Sequence, residues 1–388
     1  MENDNQKERV LMVHNFYQIG GGEHTVFENE QRLLRENGHF VKAYTRDNKE
    51  LNKCLWKKIL LPFSAVFSFK TYREVKKIIR SNQIDVVHCH NTFPLISPSV
   101  YYAAWKCGIP VIQTIHNFRL LCANGIFLRD GEICEECLTR GLKCGIKHKC
   151  YRDSKIQTIV LVNMLRIHRK LGTYKKVNYI FLTDFNKSKF KSLLGETLDK
   201  QFIKPNFEYI VAQNNTGSRD GSYVFAGRLV KNKGIDFLVD NWTLKKDLYI
   251  FGGGELEEYV LSACKKNPFL HFMGFQPHEI VCDYLGRAEA LLFPSDWYEG
   301  FPMVLIESFA FGTPVICSDI GNGANIVVKE NAGVAYPKRD REGFFQAIRE
   351  VNERFDYYSS NAQEAFNSRY VPECNYQQLK KIYEAVEE

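Results

Sequence analysis

Two carboxylates separated by seven residues, Glu299 and Glu307, bracket the turn Gly300-Phe301-Pro302 within the run YEGFPMVLIESFAFGTPVICSD. Pro302 stands where a helix tolerates a missing N–H, so the pattern predicts a helix over Met303 to Phe311. Glu299 then lies just ahead of the helix N-terminus and Glu307 in its second turn. Amides freed at such a terminus bind phosphate oxygens, and carboxylates accept hydrogen bonds from sugar hydroxyls. The constellation suits a nucleotide-sugar. The plain alternative is a solvated helix whose acids complement its dipole.

Other residues with chemical potential fall at predicted strand ends. Gly20-Gly21-Gly22 follows the first strand and precedes a helix, which lets backbone approach a ligand and frees amides for an anion; Glu23 and His24 sit at its rim. His116 closes the fourth predicted strand. His88 and His90, in VVHCH, read as a strand end with one imidazole buried. The segment YVFAGRLVKNKGIDFL gives a strand, then Arg228, then Lys233 before a helix, and Phe251-Gly252-Gly253-Gly254-Glu255 is a glycine turn after the next strand. Cys134, Cys137, Cys144 and Cys150 follow C-x2-C-x6-C-x5-C inside a Cys-rich loop over 122–150. They are candidates for a tetrathiolate structural zinc, with His148 a substitute ligand, the alternative being free thiols packed under a loop.

The elements that must position these groups are legible from periodicity. Short apolar runs alternate with helical patterns in both halves, which predicts an α/β class with parallel sheets. The predicted strands are Val10 to His14, Phe40 to Tyr44, Val86 to His90, Val111 to His116 and Tyr179 to Thr183, then Tyr223 to Ala226, Leu248 to Phe251, Leu270 to Met273, Ala290 to Phe293 and Pro314 to Cys317. A break near Lys204-Pro205-Asn206 divides the chain, and 388 residues suit two domains. Helical spacing at Leu379, Ile382, Tyr383 and Val386 predicts a C-terminal helix.

Net charge is +7, yet Arg140 to Lys189 alone carries 13 Lys or Arg against Asp153 and Asp184, so the remainder is acidic. A second basic stretch, LWKKILLPFSAVFSFKTYREVKKIIR, interleaves Trp56, Ile59, Leu60, Phe63 and Phe67 with lysines. Such surfaces favour an anionic membrane face, unless both are ordinary helices with solvated basic sides. No nucleic-acid module accompanies the charge, so no nucleic-acid partner is expected. Twelve scattered cysteines, from Cys54 to Cys374, and a polar N-terminus point to a reducing, cytoplasmic setting. No apolar run reaches the length of a membrane span, so membrane contact is expected to be peripheral.

The run around Glu299 and Glu307 resembles the donor-binding motif of family 4 glycosyltransferases, retaining enzymes of the GT-B fold that use sugar nucleotides. The likeness is tight from about Tyr223 to Val334 and looser in the first half. It implies two Rossmann-like doubly wound domains facing a cleft. Residues 1–204 would bind the acceptor and 205–360 the donor, while 361–388 would be a helical segment crossing back to the first domain. By the same resemblance Glu299 contacts hydroxyls of the transferred sugar and Glu307 the ribose. Backbone at Gly300, Phe301, Pro302 and Met303 holds the sugar and adjoining phosphate, and Gly21 and Gly22 line the donor phosphate. Arg228 and Lys233 converge on the diphosphate, Gly274 and Phe275 hold the base through backbone groups, and His116 contacts the donor sugar. His116, Arg228, Lys233 and Glu299 are thus the expected catalytic set.

No Asp-x-Asp pair occurs, so transfer is expected without a metal cofactor, and the resemblance implies retention at the anomeric carbon. The resemblance implies a nucleotide-sugar donor, uridine diphosphate being the commonest leaving group. It also implies a saccharide or polyprenyl-linked acceptor of surface polysaccharide synthesis. Two alternatives stay open: a sugar-nucleotide epimerase or phosphorylase of the same fold, and a non-catalytic interaction protein with a vestigial cleft.

Overall fold

The computed structural model describes residues 7–17, 21–51, 55–210 and 219–387; Gly20 and Cys54 lie outside them, as do the side chains of Trp56 and Ile59. The chain divides into two units. The first comprises Met1–Gly125, Glu135–Asn206 and Asn375–Glu388, and the second Ile126–Cys134 and Phe207–Cys374.

The first unit is built on six parallel strands: β1 (Arg9–Phe16), β2 (Phe40–Asp47), β3 (Val86–Asn91), β4 (Val111–Ile115), β5 (Asn178–Phe181) and β6 (Phe202–Ile203). Their order is β2-β1-β3-β4-β5-β6. Val10, Leu11, Met12 and Val13 are fully buried in sequence along β1, as expected of a parallel strand covered on both faces. The chain reverses its strand order between β1 and β3, and ligands of such sheets lie beyond the carboxyl ends at that switch. The helix Pro372–Glu387 carries its apolar residues at helical spacing, and Leu379, Ile382 and Tyr383 pack with Val10, Met12, Phe27 and Ile112.

The second unit carries β7 (Tyr223–Ala226), β8 (Leu248–Phe251), β9 (Leu270–Gly274), β10 (Ala290–Phe293), β11 (Val315–Ser318) and β12 (Gly333–Tyr336), ordered β9-β8-β7-β10-β11-β12 and parallel throughout. Side chains alternate between two cores with the period-2 geometry of strands. Tyr223, Phe225, Leu248, Ile250, Leu292 and Ile316 enter one core, while Val224, Phe251, Leu291, Phe293, Val315 and Cys317 enter the other. This is the doubly wound strand order, with its switch between β7 and β10. A short hairpin pairing Leu128–Arg129 with Glu132–Ile133 also belongs to this unit; Asp130 and Gly131 both have positive φ, as its two-residue turn requires.

All ten predicted strands are present, with ends shifted by at most three residues. β6 and β12 were not predicted. Both are sheet edges, one only two residues long and the other opening on Gly333, so neither presents an apolar run to read. The helix after Pro302 runs Met303–Ala310, one residue shorter than predicted.

Candidate active site

In the second unit the loops after β7 and β10, the two strands flanking the switch, meet at Glu299. Its Oε1 accepts hydrogen bonds from Lys233 Nζ (2.6 Å), Ser295 Oγ (2.7 Å) and Trp297 Nε1 (2.8 Å). Oε2 has no protein donor among the described residues. Asn322, fully buried at the start of the helix after β11, donates to the carbonyls of Glu299 and Gly300 and so fixes the turn. The result is a carboxylate held rigidly by one oxygen, with the other left to accept from a ligand hydroxyl. Glu299 and Lys233 are mostly shielded from solvent, so their attraction is screened less than a surface pair.

The same two loops are tied a second time. The Asp296 amide donates to the Asn232 carbonyl (3.0 Å), and Arg339 reaches Asp296 (Nε to Oδ2, 2.6 Å) and Asp236 (Nη1 to Oδ2, 3.0 Å). Burial raises the Asp296 carboxyl above the usual range while Arg339 opposes the rise.

Two glycines are demanded by close approach. A Cβ on Gly252, at φ +123°, would stand 1.9 Å from the Gly227 carbonyl oxygen, and one on Gly234, at φ +70°, 2.1 Å from that of Pro294. Backbone bonds then stitch the loops together: Gly227 to Phe251, Leu229 to Gly253, and Gly252 to Gly274. Gly227, the Gly252–Gly254 turn and Gly274 thus form one backbone platform at the carboxyl ends of β7, β8 and β9. Arg228 is exposed on it, its side chain without a hydrogen bond or ion pair among the described residues, and Phe275 is 90% exposed. The structure therefore separates the two predicted cations: Lys233 is paired with Glu299, while Arg228 is free.

Glu307 lies in the second turn of Met303–Ala310, 3.4 Å from His278 Nε2. Contacts with Cys282 and with the Glu307 carboxylate raise the His278 imidazole well above its ordinary value. The first-turn amides of this helix, at Met303 and Val304, have no intrahelical carbonyl to reach.

In the first unit Gly21 caps the helix Gly22–Glu36. A Cβ on Gly21 would meet nothing within 4 Å, and its φ of −156° is open to any residue, so packing does not account for this glycine. Glu23 is pushed up to about 8 by burial, opposed by the nearby Arg119 charge and a hydrogen bond from Asn117. The Arg119 guanidinium stands 5.3 to 5.8 Å from the rings of Tyr17, Phe93 and Tyr151.

His116 directly follows β4 and lines a pocket with His90, Asn91, Gln113 and Asn117. Its Nε2 is 2.9 Å from His90 Nδ1. Behind it lies a fully buried charge cluster: His90 Nε2 is 2.8 Å from Glu30 Oε2, and Lys204 Nζ is 2.6 Å from Glu30 Oε1 and 2.9 Å from Asn375 Oδ1. Neither contact to Glu30 is an aligned hydrogen bond: Lys204 is held by charge, and the His90 imidazole lies against the carboxylate at close range. Burial alone would raise Glu30, but Lys204 and His90 overcome it and hold the carboxyl well below the usual range. His14 and His88 are pushed down to about 3, and His116 well below its ordinary value, all chiefly by burial, so the three imidazoles are neutral.

Cys137, Cys144 and Cys150 lie in the first unit and form no disulfide, and among the described residues their sulfurs belong to no converging ligand group. Cys137 hydrogen-bonds Cys122, which together with burial pushes its thiol up. The group whose ligand atoms do converge, among the described residues, is Glu30, His88 and His90.

Sequence reasoning missed Ser295, Trp297 and Asn322 around Glu299, and Glu30 and Lys204 behind His116. The spacing Ser295-x-Trp297-x-Glu299 carried a signal, since alternate residues of an extended segment share a side. Nothing local links Glu30 to Lys204.

Two parallel-sheet α/β units, with site loops at the carboxyl ends flanking each switch, define the GT-B class of sugar-nucleotide folds. A family model described as "Glycosyl transferases group 1" matches residues 221–354, and one described as "Glycosyltransferase Family 4" matches residues 19–132. The chain thus carries a glycosyltransferase domain of each of these two descriptions, one in each half. It is 23% identical to an uncharacterised glycosyltransferase of Methanocaldococcus jannaschii, covering 97% of this chain and 98% of that one. It is 31% identical to glycogen synthase of Mycobacterium tuberculosis over 33% of each. Among solved structures it is similar in fold to a glycosyltransferase from Rickettsia africae (TM-score 0.68, 15% identity, 98% and 99% of the two chains). It is also similar to Anabaena HepE in complex with UDP (TM-score 0.67, 13% identity, 97% and 100%).

Proposed function

We propose that this glycosyltransferase moves a hexosyl group from a UDP-sugar to a saccharide or polyprenyl-linked acceptor, with retention and without a metal. The observation that carries the reading is Glu299, locked through Oε1 and open at Oε2, beside a glycine-built backbone platform at the switch of the second sheet. Its free oxygen suits a sugar hydroxyl and the platform suits a diphosphate. Anabaena HepE, similar in fold, is known in complexes with UDP and with UDP-glucose, which favours uridine.

In this reading the bond between the sugar C1 and the diphosphate breaks first, and Arg228 and Lys233 stabilise the charge that develops on the leaving group. The acceptor oxygen bonds to C1 from the face the diphosphate leaves, and its proton passes to a phosphate oxygen. Neutral His116 hydrogen-bonds the sugar. Gly21, which packing does not require, leaves room for ligand at the first helix. Calorimetric titration with UDP and GDP in EDTA tests the donor assignment. UDP is expected to bind despite the chelator, and about tenfold more weakly to Glu307→Ala, which loses a ribose contact. Failure of a folded protein to bind either nucleotide would remove the reading.

The membrane half of the proposal rests on the first unit. Leu60, Phe63, Phe69 and Ile167 are exposed around one shallow groove with Lys70, Phe63 by 77% and Phe69 by 70%, and Arg73, Lys76, Lys77 and Arg80 line another on the same Phe69–Asn82 helix. Apolar side chains beside clustered cations suit an anionic lipid surface. Co-sedimentation with phosphatidylglycerol vesicles is expected for the native chain and about tenfold less for Phe63→Ser/Phe69→Ser. Equal sedimentation of the two would sink the membrane assignment.

A further inference from the structure

The cluster behind His116 has a definite proton arrangement. Glu30 and Lys204 carry one charge of each sign, so the buried group is neutral as it stands. A metal ion is not needed to balance it: Lys204 already occupies the cation's place against Glu30, and both nitrogens of His88 are engaged, Nδ1 with Tyr383 (2.9 Å) and Nε2 with Thr114 (2.8 Å). A proton added to His90 would leave a net charge away from water, which costs heavily. Neutral His90 carries its one proton on Nε2, because a bare nitrogen 2.8 Å from a carboxylate oxygen would set its partial negative charge against the carboxylate's, whereas an N–H there is attracted even without hydrogen-bond alignment. Its Nδ1 is then an acceptor, and the donor it meets among the described residues, at 2.9 Å, is His116 Nε2–H.

We propose that Glu30 and Lys204 are positioning residues that, through His90, fix His116 as its Nε2–H tautomer and so present a bare Nδ1 to the pocket as a hydrogen-bond acceptor. The ligand group this selects is a hydroxyl or another donor, not a carbonyl. That the hydroxyl belongs to a sugar rests on the function proposed above; the tautomer does not. Lys204 is the deciding element. Without it, uncompensated Glu30 draws a second proton onto His90, whose Nδ1–H then donates to His116 Nε2 and drives the His116 proton to Nδ1. His14, whose ring centroid lies 6.4 Å from that of His90, and Tyr383 supply no charge to reverse this.

Long-range proton–nitrogen correlation spectra of the full chain, with histidine labelled in nitrogen-15 and His116 assigned by loss of its signal in His116→Asn, read the arrangement directly. The native protein is expected to show His116 protonated at Nε2 and bare at Nδ1. Lys204→Met should exchange the two nitrogen shifts and lower kcat/KM at least about tenfold, as loss of one substrate hydrogen bond would. Glu30→Gln/Lys204→Met, which keeps an acceptor for His90 without charge, should restore the native pattern and most of the activity. Protonation of native His116 at Nδ1 overturns the proposal, as does an unchanged pattern in folded Lys204→Met. Should Lys204→Met fail to fold, a folded double variant with the exchanged pattern overturns it equally. A native Nε2–H tautomer in a protein that transfers no sugar would count against the functional reading and leave this one standing.

Discussion

Glu299→Gln is expected to lower kcat by about 10²- to 10³-fold while leaving nucleotide affinity unchanged or slightly tighter. The carboxylate receives Lys233, Ser295 and Trp297 on one oxygen, so the amide can keep the neutral donors but not the ionic one. Lys233 would then lack its counter-charge, and the nearest use for it is the phosphate of a bound nucleotide. Turnover and nucleotide binding therefore separate: the first depends on the oxygen facing the sugar, the second on cations and backbone amides. Steady-state kinetics paired with calorimetry of the nucleoside diphosphate checks both. A variant with normal kcat and weakened nucleotide binding would mean that Glu299 serves the nucleotide and not the sugar.

Glu30→Ala is expected to destabilise the first unit by about 3–5 kcal/mol, because it strands the buried Lys204 ammonium without its one ion-pair partner among the described residues. Hydrogen exchange across a urea series resolves this, since a chain of two units gives no single unfolding transition. β3 and β4, which carry His88, His90 and Thr114, should lose protection first. The pH dependence follows from the direction of the Glu30 shift. Its folded value lies below its unfolded one, so the stability it contributes is full above the ordinary carboxylate range and is lost as pH falls through the folded value. The native protein should thus hold its first unit into acid and lose it steeply there, whereas Glu30→Gln should show a flatter acid limb. An identical acid limb in both would place the titrating groups elsewhere.

Much of this molecule could be read locally. A buried parallel strand must be apolar along its length, so Val10 to Val13 and Leu248 to Phe251 announce themselves, and the Gly-Phe-Pro turn announces the helix behind it. The glycines at Gly234 and Gly252 are visible for the same reason: strand-end loops in contact leave no space for a Cβ. Edge strands β6 and β12 were not visible, since an edge needs neither length nor a double apolar face.

The sequence by itself determined the α/β class and the placement of Glu299, Glu307, Arg228, Lys233 and His116 at strand or helix ends, because each follows from periodicity or from turn chemistry within about twenty residues, while the doubly wound order was implied only by the family resemblance. Only the tertiary structure decided which charges meet. Lys233 was legible as a cation, but not as the partner of Glu299, which is 66 residues away. Glu30 reads as one more polar residue on an amphipathic helix, and Lys204 as one more basic residue before a proline. They become a buried pair only when β3, the first helix and the end of β6 pack together. Coulomb attraction acts through space with no memory of chain separation, so its pairings are set by the fold and cannot be found along the sequence.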